Sequence, residues 1–148
     1  MVGAFYRFEI DPKTRQTRKR ILAPSLHMAA FDAINESRRG RAYRYAWFTA
    51  NNQHEGQDSS VCRVDTQTGE AQVWTSRERL WLRQPRLSPT GPGEDEGYLV
   101  VPCYTYEETR LLVFDARDIA KGPVTVLSAG ERLPYSNHGW VEPAMWRP

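Results

Sequence analysis

Three histidines and two cysteines are the side chains of this 148-residue sequence best suited to holding a metal or attacking a substrate. His27, His54 and His138 lie too far apart along the chain to make a local metal site, and no HExxH pair is present. His54 sits in the polar stretch 51–59, where a solvated surface role is the ordinary one. His27 stands between Leu26 and Met28, where a partly buried, hydrogen-bonded imidazole is the default. His138, in Leu133-Pro134-Tyr135-Ser136-Asn137-His138-Gly139-Trp140, takes its meaning only from the segments around it. Cys62 and Cys103 lie inside apolar segments without CxxC or Cys/His spacing, which predicts reduced, buried thiols in a cytoplasmic protein. No GxSxG elbow and no P-loop occurs.

These side chains need a scaffold, and the composition bounds it. The length suits one domain spanning 1–148 and is too short for two. With 40% hydrophobic and 26% charged residues the chain is neither disordered nor membrane-embedded, since no apolar run approaches the roughly 20 residues of a spanning helix. Lys and Arg total 20 against 18 Asp and Glu, a net charge of +2, so overall charge calls for neither nucleic acid nor an anionic membrane as partner. Residues 1–10 lack the basic and apolar regions of a signal peptide.

Alternation of period two predicts strands. Tyr6, Phe8 and Ile10 fall on one face and Arg7 and Glu9 on the other, with the apolar face expected to be half-buried, followed by a turn at Asp11-Pro12-Lys13. A second strand is expected over 17–22, a loop with a helical turn over 28–37, and an aromatic strand over 41–48. Residues 61–65 and 70–74 form a hairpin turned at Thr66-Gln67-Thr68-Gly69, where the glycine supplies a positive φ. Residues 51–59 and 88–93 read as loops, and 97–106 with 110–115 as another strand pair.

A faint repeat runs through these strands. Arg7-Phe8-Glu9-Ile10-Asp11 with Thr14 is echoed by Arg63-Val64-Asp65 with Thr68, and again by Val113-Phe114-Asp115. Strands ending in Asp at a period of roughly 50 residues suit β-propeller blades, and equally suit Asp-containing turns of any all-β protein. The predicted fold is therefore all-β, a partial β-propeller of about two blades with long loops. A closed propeller needs about 4–8 blades, so such a chain requires the remaining blades as partners or self-associates.

Seven short motifs then occur in a familiar order: Phe31-Asp32-Ala33-Ile34-Asn35; Gly40-Arg41-Ala42-Tyr43-Arg44-Tyr45; the Cys62 to Trp74 hairpin; Gln84-Pro85; Glu94-Asp95-Glu96-Gly97; Leu112-Val113-Phe114-Asp115; and Leu133-Pro134 leading to His138-Gly139. Together they resemble the C-terminal part of the carotenoid cleavage oxygenases, the family of carotenoid, apocarotenoid and lignostilbene dioxygenases and their retinoid isomerase relatives. The resemblance implies a seven-bladed propeller carrying Fe(II) on its axis, held by four histidines from different blades. It implies splitting of a conjugated C=C bond by O₂ into two carbonyl products, on an apolar carotenoid-like or stilbene-like alkene. Of the four ligands only the last, in the family's Pro-x-x-x-His-Gly motif, falls on this sequence, at His138. The expectation is that this chain alone neither retains iron nor cleaves an alkene. Gly139 is expected to keep the neighbouring backbone clear of the metal.

The sequence departs from the family at two positions where glutamates orient the histidines. Ala30 stands in the place of the glutamate of the Glu-Phe-Pro-x-Ile-Asn motif, and Gln84 in the place of the glutamate before proline. Ala30 accepts no hydrogen bond, and Gln84 offers a neutral amide for a carboxylate. A diverged relative and a decaying, truncated copy both fit these changes. Trp47, Trp74, Trp81 and Trp140 suit either a substrate tunnel or a plain core. A non-enzymatic alternative is a β-rich binding module. Residues 1–40 carry eight Lys and Arg against four acidic residues, with Phe5, Tyr6 and Phe8 nearby, a surface able to meet RNA or an acidic partner.

Overall fold

The computed structural model describes residues 3–24, 26–28, 33–52, 57–136 and 138–139. Twelve strands and two short 3₁₀ turns make up the regular structure of these residues. The strands are β1 Gly3–Ala4, β2 Tyr6–Ile10, β3 Thr17–Ile21, β4 His27–Met28, β5 Tyr45–Asn52, β6 Gln57–Asp65, β7 Ala71–Thr75, β8 Trp81–Leu82, β9 Arg86–Pro89, β10 Gly97–Tyr104, β11 Thr109–Asp115 and β12 Thr125–Ser128. One sheet runs β1-β4-β5-β6-β7, and a second runs β12-β11-β10-β8 with β9 also on β10. β2 and β3 form a separate hairpin. Every named pairing is antiparallel. The two sheets are the two blades, and the fold is an all-β partial propeller.

The central strand β5 explains why the blades hold together. Its alternating residues Tyr45 and Trp47 point into the core shared with the second sheet, against Leu82, Leu99, Val101 and Phe114. Ala46, Phe48 and Ala50 point to the opposite face, where they pack with Phe5, Leu22, Cys62 and Val64. Both faces of this sheet are thus covered, and a strand of mixed aromatic and small residues suits a slot between two layers. Trp47 is fully buried, and its indole Nε1 donates to the Ala116 carbonyl oxygen at 3.0 Å, a hydrogen bond that crosses from one blade to the other. Arg63 extends the same face into an ion pair with Asp95 at 2.6 Å and lies over the Tyr45 ring.

The three aspartates of the faint repeat do one job. Asp11 Oδ1 accepts from the backbone N–H groups of Lys13 and Thr14, Asp65 Oδ1 from those of Gln67 and Thr68, and Asp115 Oδ1 from that of Arg117. Each side chain mimics a backbone turn just past a strand end, which is the reason aspartate recurs there. At the middle turn Gly69 takes φ +83°, and a Cβ there would lie 3.1 Å from the Leu22 carbonyl oxygen.

Several expectations need correction. The apolar face of β2 is not half-buried: Phe8 is 58% and Ile10 69% exposed. The residue that turns inward is Arg7, whose Nη2 donates to Thr66 Oγ1 at 2.7 Å. Alternation defines two faces of a strand but does not say which meets a neighbour, and β2 pairs with β3 in a separate two-stranded sheet. The aromatic strand begins at Tyr45 rather than residue 41. The stretch 51–59 was expected to be loop, yet β5 runs to Asn52 and β6 starts at Gln57, because backbone pairing carries a hairpin past the end of its apolar pattern. Residues 86–89 likewise form a strand on β10, and the helical turn of 28–37 is the 3₁₀ turn Glu36–Arg38, capped by Asn35 Oδ1. Cys62 and Cys103 are unpaired and lie in different cores. Burial pushes their thiols up to about 12 and about 11.

Candidate metal centre

The site grows out of an interruption in the second sheet. One edge of β10 pairs with β9 over Gly97 to Val100 and with β8 over Cys103 and Tyr104, so its partner changes in between. Pro102, which has no N–H to donate, falls in that gap, and its carbonyl accepts from the Arg83 N–H at 2.9 Å. The chain segment that makes the change contains Gln84 and the fully buried Pro85. A residue before proline is pushed to extended backbone, and Gln84 therefore leaves the sheet between two strands and is itself buried, 8% exposed.

Residues 129–136 and 138–139 supply the other half without regular secondary structure. Side chains and single backbone bonds hold this segment along the ends of β10 and β11. Thr109 N–H donates to the Glu131 carbonyl, and Leu133 N–H donates to Thr109 Oγ1. The Tyr104 hydroxyl donates to the Pro134 carbonyl at 3.2 Å and accepts from the Ser136 N–H at 2.9 Å. The Tyr135 ring lies 5.2 Å from that of Tyr104, with the Arg83 guanidinium 4.1 Å over it. Ser136 Oγ then donates to the His138 carbonyl at 2.6 Å. A segment tied at this many points delivers His138 to a fixed place although none of its described residues is helix or strand.

There His138 Nδ1 meets Gln84 Oε1 at 3.1 Å. Gln84 Oε1 also accepts from Arg86 Nη2 at 3.1 Å, while Arg86 Nε donates to the Gly139 carbonyl oxygen at 2.7 Å. The remaining guanidinium nitrogen lies 3.7 Å from Glu36 Oε1. A neutral imidazole that donates through Nδ1 carries its lone pair on Nε2, the arrangement a metal-bound histidine needs. His138 thus fits one ligand position of an iron site by donor type, imidazole being a good ligand for iron. Among the described residues no group of three or more His, Cys, Asp or Glu is arranged to hold a metal, so the donor set is not completed by them.

Of the other sequence-derived positions, the side chain of His27 is not described beyond its place in β4, opposite Ala4. Ala30, His54 and Trp140 lie outside the described residues. The neighbouring motif residues Ala33 and Asn35 are described. Ala33 exchanges two backbone hydrogen bonds with Trp47, and Asn35 Nδ2 donates to the Glu94 carbonyl. Trp47 and Trp74 serve packing, the latter edge-on to Phe114, and Trp81 stacks edge-on to Tyr106. A Cβ at Gly139 would meet nothing within 4 Å among the described residues. The basic face of residues 1–40 is partly spent inside the fold. Arg7 and Arg20 both donate to Thr66, and Lys19 Nζ sits 3.8 Å over the Tyr6 ring. Arg86 was missed from sequence, although it follows Gln84 by two positions, the spacing that shares a face in extended chain. No membrane-length apolar helix occurs among the described residues.

Residues 1–142 match the family model described as retinal pigment epithelial membrane protein. Resveratrol cleavage oxygenase 1 of Chaetomium globosum is 31% identical over 107 residues, covering 66% of this chain and 18% of the relative. Isoeugenol monooxygenase of Pseudomonas nitroreducens is 33% identical over 82 residues, covering 52% of this chain and 17% of the relative. A cobalt-substituted Synechocystis apocarotenoid oxygenase superposes with a TM-score of 0.83 at 26% identity, covering 94% of this chain and 30% of that one. The chain spans less than a third of the length of each of these relatives.

Proposed function

The chain belongs to the carotenoid cleavage oxygenase family, and on that premise we propose that it contributes His138 as one imidazole ligand of an Fe(II) centre in an alkene-cleaving oxygenase. Bound Fe(II) would supply the activation of O₂ with which a conjugated C=C bond is split into two carbonyls. The substrate class is an apolar conjugated alkene of carotenoid, apocarotenoid or stilbene type, in keeping with the relatives' names. The observation that carries this reading is the contact between His138 Nδ1 and Gln84 Oε1. The two positions singled out from the resemblance, one as ligand and one as a substituted family glutamate near the metal, meet across 54 residues of chain.

The chain's own residues hold and orient. Gln84 takes the proton-bearing side of the ring, Arg86 fixes Gln84 and the backbone after His138, and Tyr104 fixes the approach through Pro134 and Ser136. The other three histidines belong to further blades in this proposal, so residues 1–148 by themselves hold no stoichiometric iron and cleave no alkene. Exposed Val126 and Leu127 on the outer strand β12 support a need for such blades, or for self-association, because an uncovered apolar edge strand recruits another chain. A cytoplasmic location completes the proposal, consistent with two unpaired thiols in separate cores.

The test is metal content. In a protein joining this chain to the remaining blades, His138→Ala should abolish iron retention measured by atomic emission, with His27→Ala and His54→Ala near wild type. Equal iron in all three variants refutes the assignment.

A further inference from the structure

Gln84 poses a problem that a glutamate would not. A carboxylate presents an acceptor whichever way it turns, but an amide presents oxygen on one side and NH₂ on the other. If the NH₂ faced His138, the nearby ring nitrogen would have to accept, the ring proton would move to Nε2, and the nitrogen offered to a metal would be blocked. Arg86, which touches the same amide oxygen, distinguishes between these orientations. A guanidinium has only donors, so the Gln84 atom that faces Arg86 Nη2 at 3.1 Å is the oxygen, and that oxygen is also the atom at Nδ1.

Resting on the reading of His138 as a ligand, we propose that Arg86 is a positioning residue that keeps the imidazole in its metal-binding tautomer by fixing the Gln84 amide. The guanidinium has little freedom to do otherwise. Its Nε donates to the Gly139 carbonyl at 2.7 Å, its Nη2 to Gln84, and its Nη1 faces Glu36 Oε1 at 3.7 Å, so three directions of a planar fork are used at once. Arg86 holds both sides of the site, the amide that orients the ring and the backbone that carries it. A lysine, one point of charge on a flexible stem, cannot make both contacts in fixed geometry. An arginine two residues after the glutamine therefore restores, with an amide, the single outcome that a carboxylate delivers without help.

The experiment reads the tautomer directly and needs no metal. The full chain is labelled with ring-¹⁵N histidine and studied at alkaline pH, where imidazole is neutral. Magic-angle-spinning NMR is used because it tolerates self-association, and the His138 signals are identified by their loss in His138→Gln. Wild type should show Nδ1 protonated and Nε2 unprotonated. Arg86→Ala and Arg86→Lys should shift the population toward the Nε2-protonated form, moving the Nδ1 resonance from the protonated to the unprotonated range. Arg86→Lys combined with Gln84→Glu should return His138 to the wild-type tautomer, because a carboxylate needs no orienting and the ammonium keeps its counter-charge. A purely structural role for Arg86 would not be rescued by that change. An unchanged tautomer in Arg86→Ala, or no return in the double variant, overturns the proposal. Iron retention by His138→Ala in the complete enzyme would instead overturn the ligand reading beneath it, leaving the tautomer result standing.

Discussion

Restoring the family carboxylate at position 84 is the sharpest perturbation of this site. Gln84→Glu places a charge 3.1 Å from His138 Nδ1 without changing side-chain length. A neutral hydrogen bond contributes about 0.5–1.5 kcal/mol and one to a charged group about 1.5–3 kcal/mol, so the stronger bond adds about 1–1.5 kcal/mol to whatever depends on ring basicity. Against it stands the cost of charging a side chain that is 8% exposed, several kcal/mol for an unpaired ion. Arg86 Nη2, at 3.1 Å from the same atom, supplies the counter-charge, and the pair stays neutral. The net gain is then about tenfold in metal affinity at about 1.4 kcal/mol per decade, the lower end of the roughly 10–100-fold range for such partners. The assay is cobalt(II) titration by visible absorption in a protein carrying all four histidines, with Gln84→Leu as the opposite control, expected to lose about tenfold or more. Equal affinity in wild type and both variants would show that position 84 does not act on the metal through His138.

Two further outcomes follow from the fold. Trp47→Phe removes the donor to the buried Ala116 carbonyl and leaves a void between the blades. The loss should be about 1–3 kcal/mol for the orphaned acceptor plus a cavity contribution, read from urea unfolding, and a loss below about 0.5 kcal/mol would refute the inter-blade role of this bond. The Arg44 hydrogen bond, helped by the turn N–H groups, holds the Asp65 carboxyl below its usual range. Its folded pKa being depressed, the stabilisation is complete above about pH 4 and fades as pH falls through the folded value. The melting-temperature gap between wild type and Asp65→Asn should therefore shrink between about pH 6 and pH 3, and a constant gap would show that the charge contributes nothing.

Much of the local structure was legible because it depends on neighbours in sequence. The hairpin around Thr66 to Gly69 needs only alternating residues and one glycine able to take a positive φ, and it formed as read. The recurring Asp at strand ends marked turns for a reason that spans two or three residues, a carboxylate accepting backbone N–H groups. The order of seven short motifs pointed to the family, and His138 and Gln84 were picked out by their positions in it. Each of these signals is complete within a short window or an ordered set of windows.

What the sequence determined by itself is thus the strand period, the turn chemistry, the family and the residue types of the site. Only the tertiary structure decided which face of each strand is covered, and it reversed the expectation for β2, because alternation is symmetric until a second layer arrives. Only it brought Gln84 and His138 together across 54 residues, through a change of partner strand beside Pro102 and an irregular segment held by Tyr104 and Thr109. Arg86 stayed hidden for the same reason: its sequence spacing placed it beside Gln84, but its second anchor, the Gly139 carbonyl, is 53 residues away and belongs to no periodic pattern. A hydrogen bond carries specificity over about 3 Å and none along the chain, so a site assembled from such bonds exists only once the layers that bring its parts within that distance have packed.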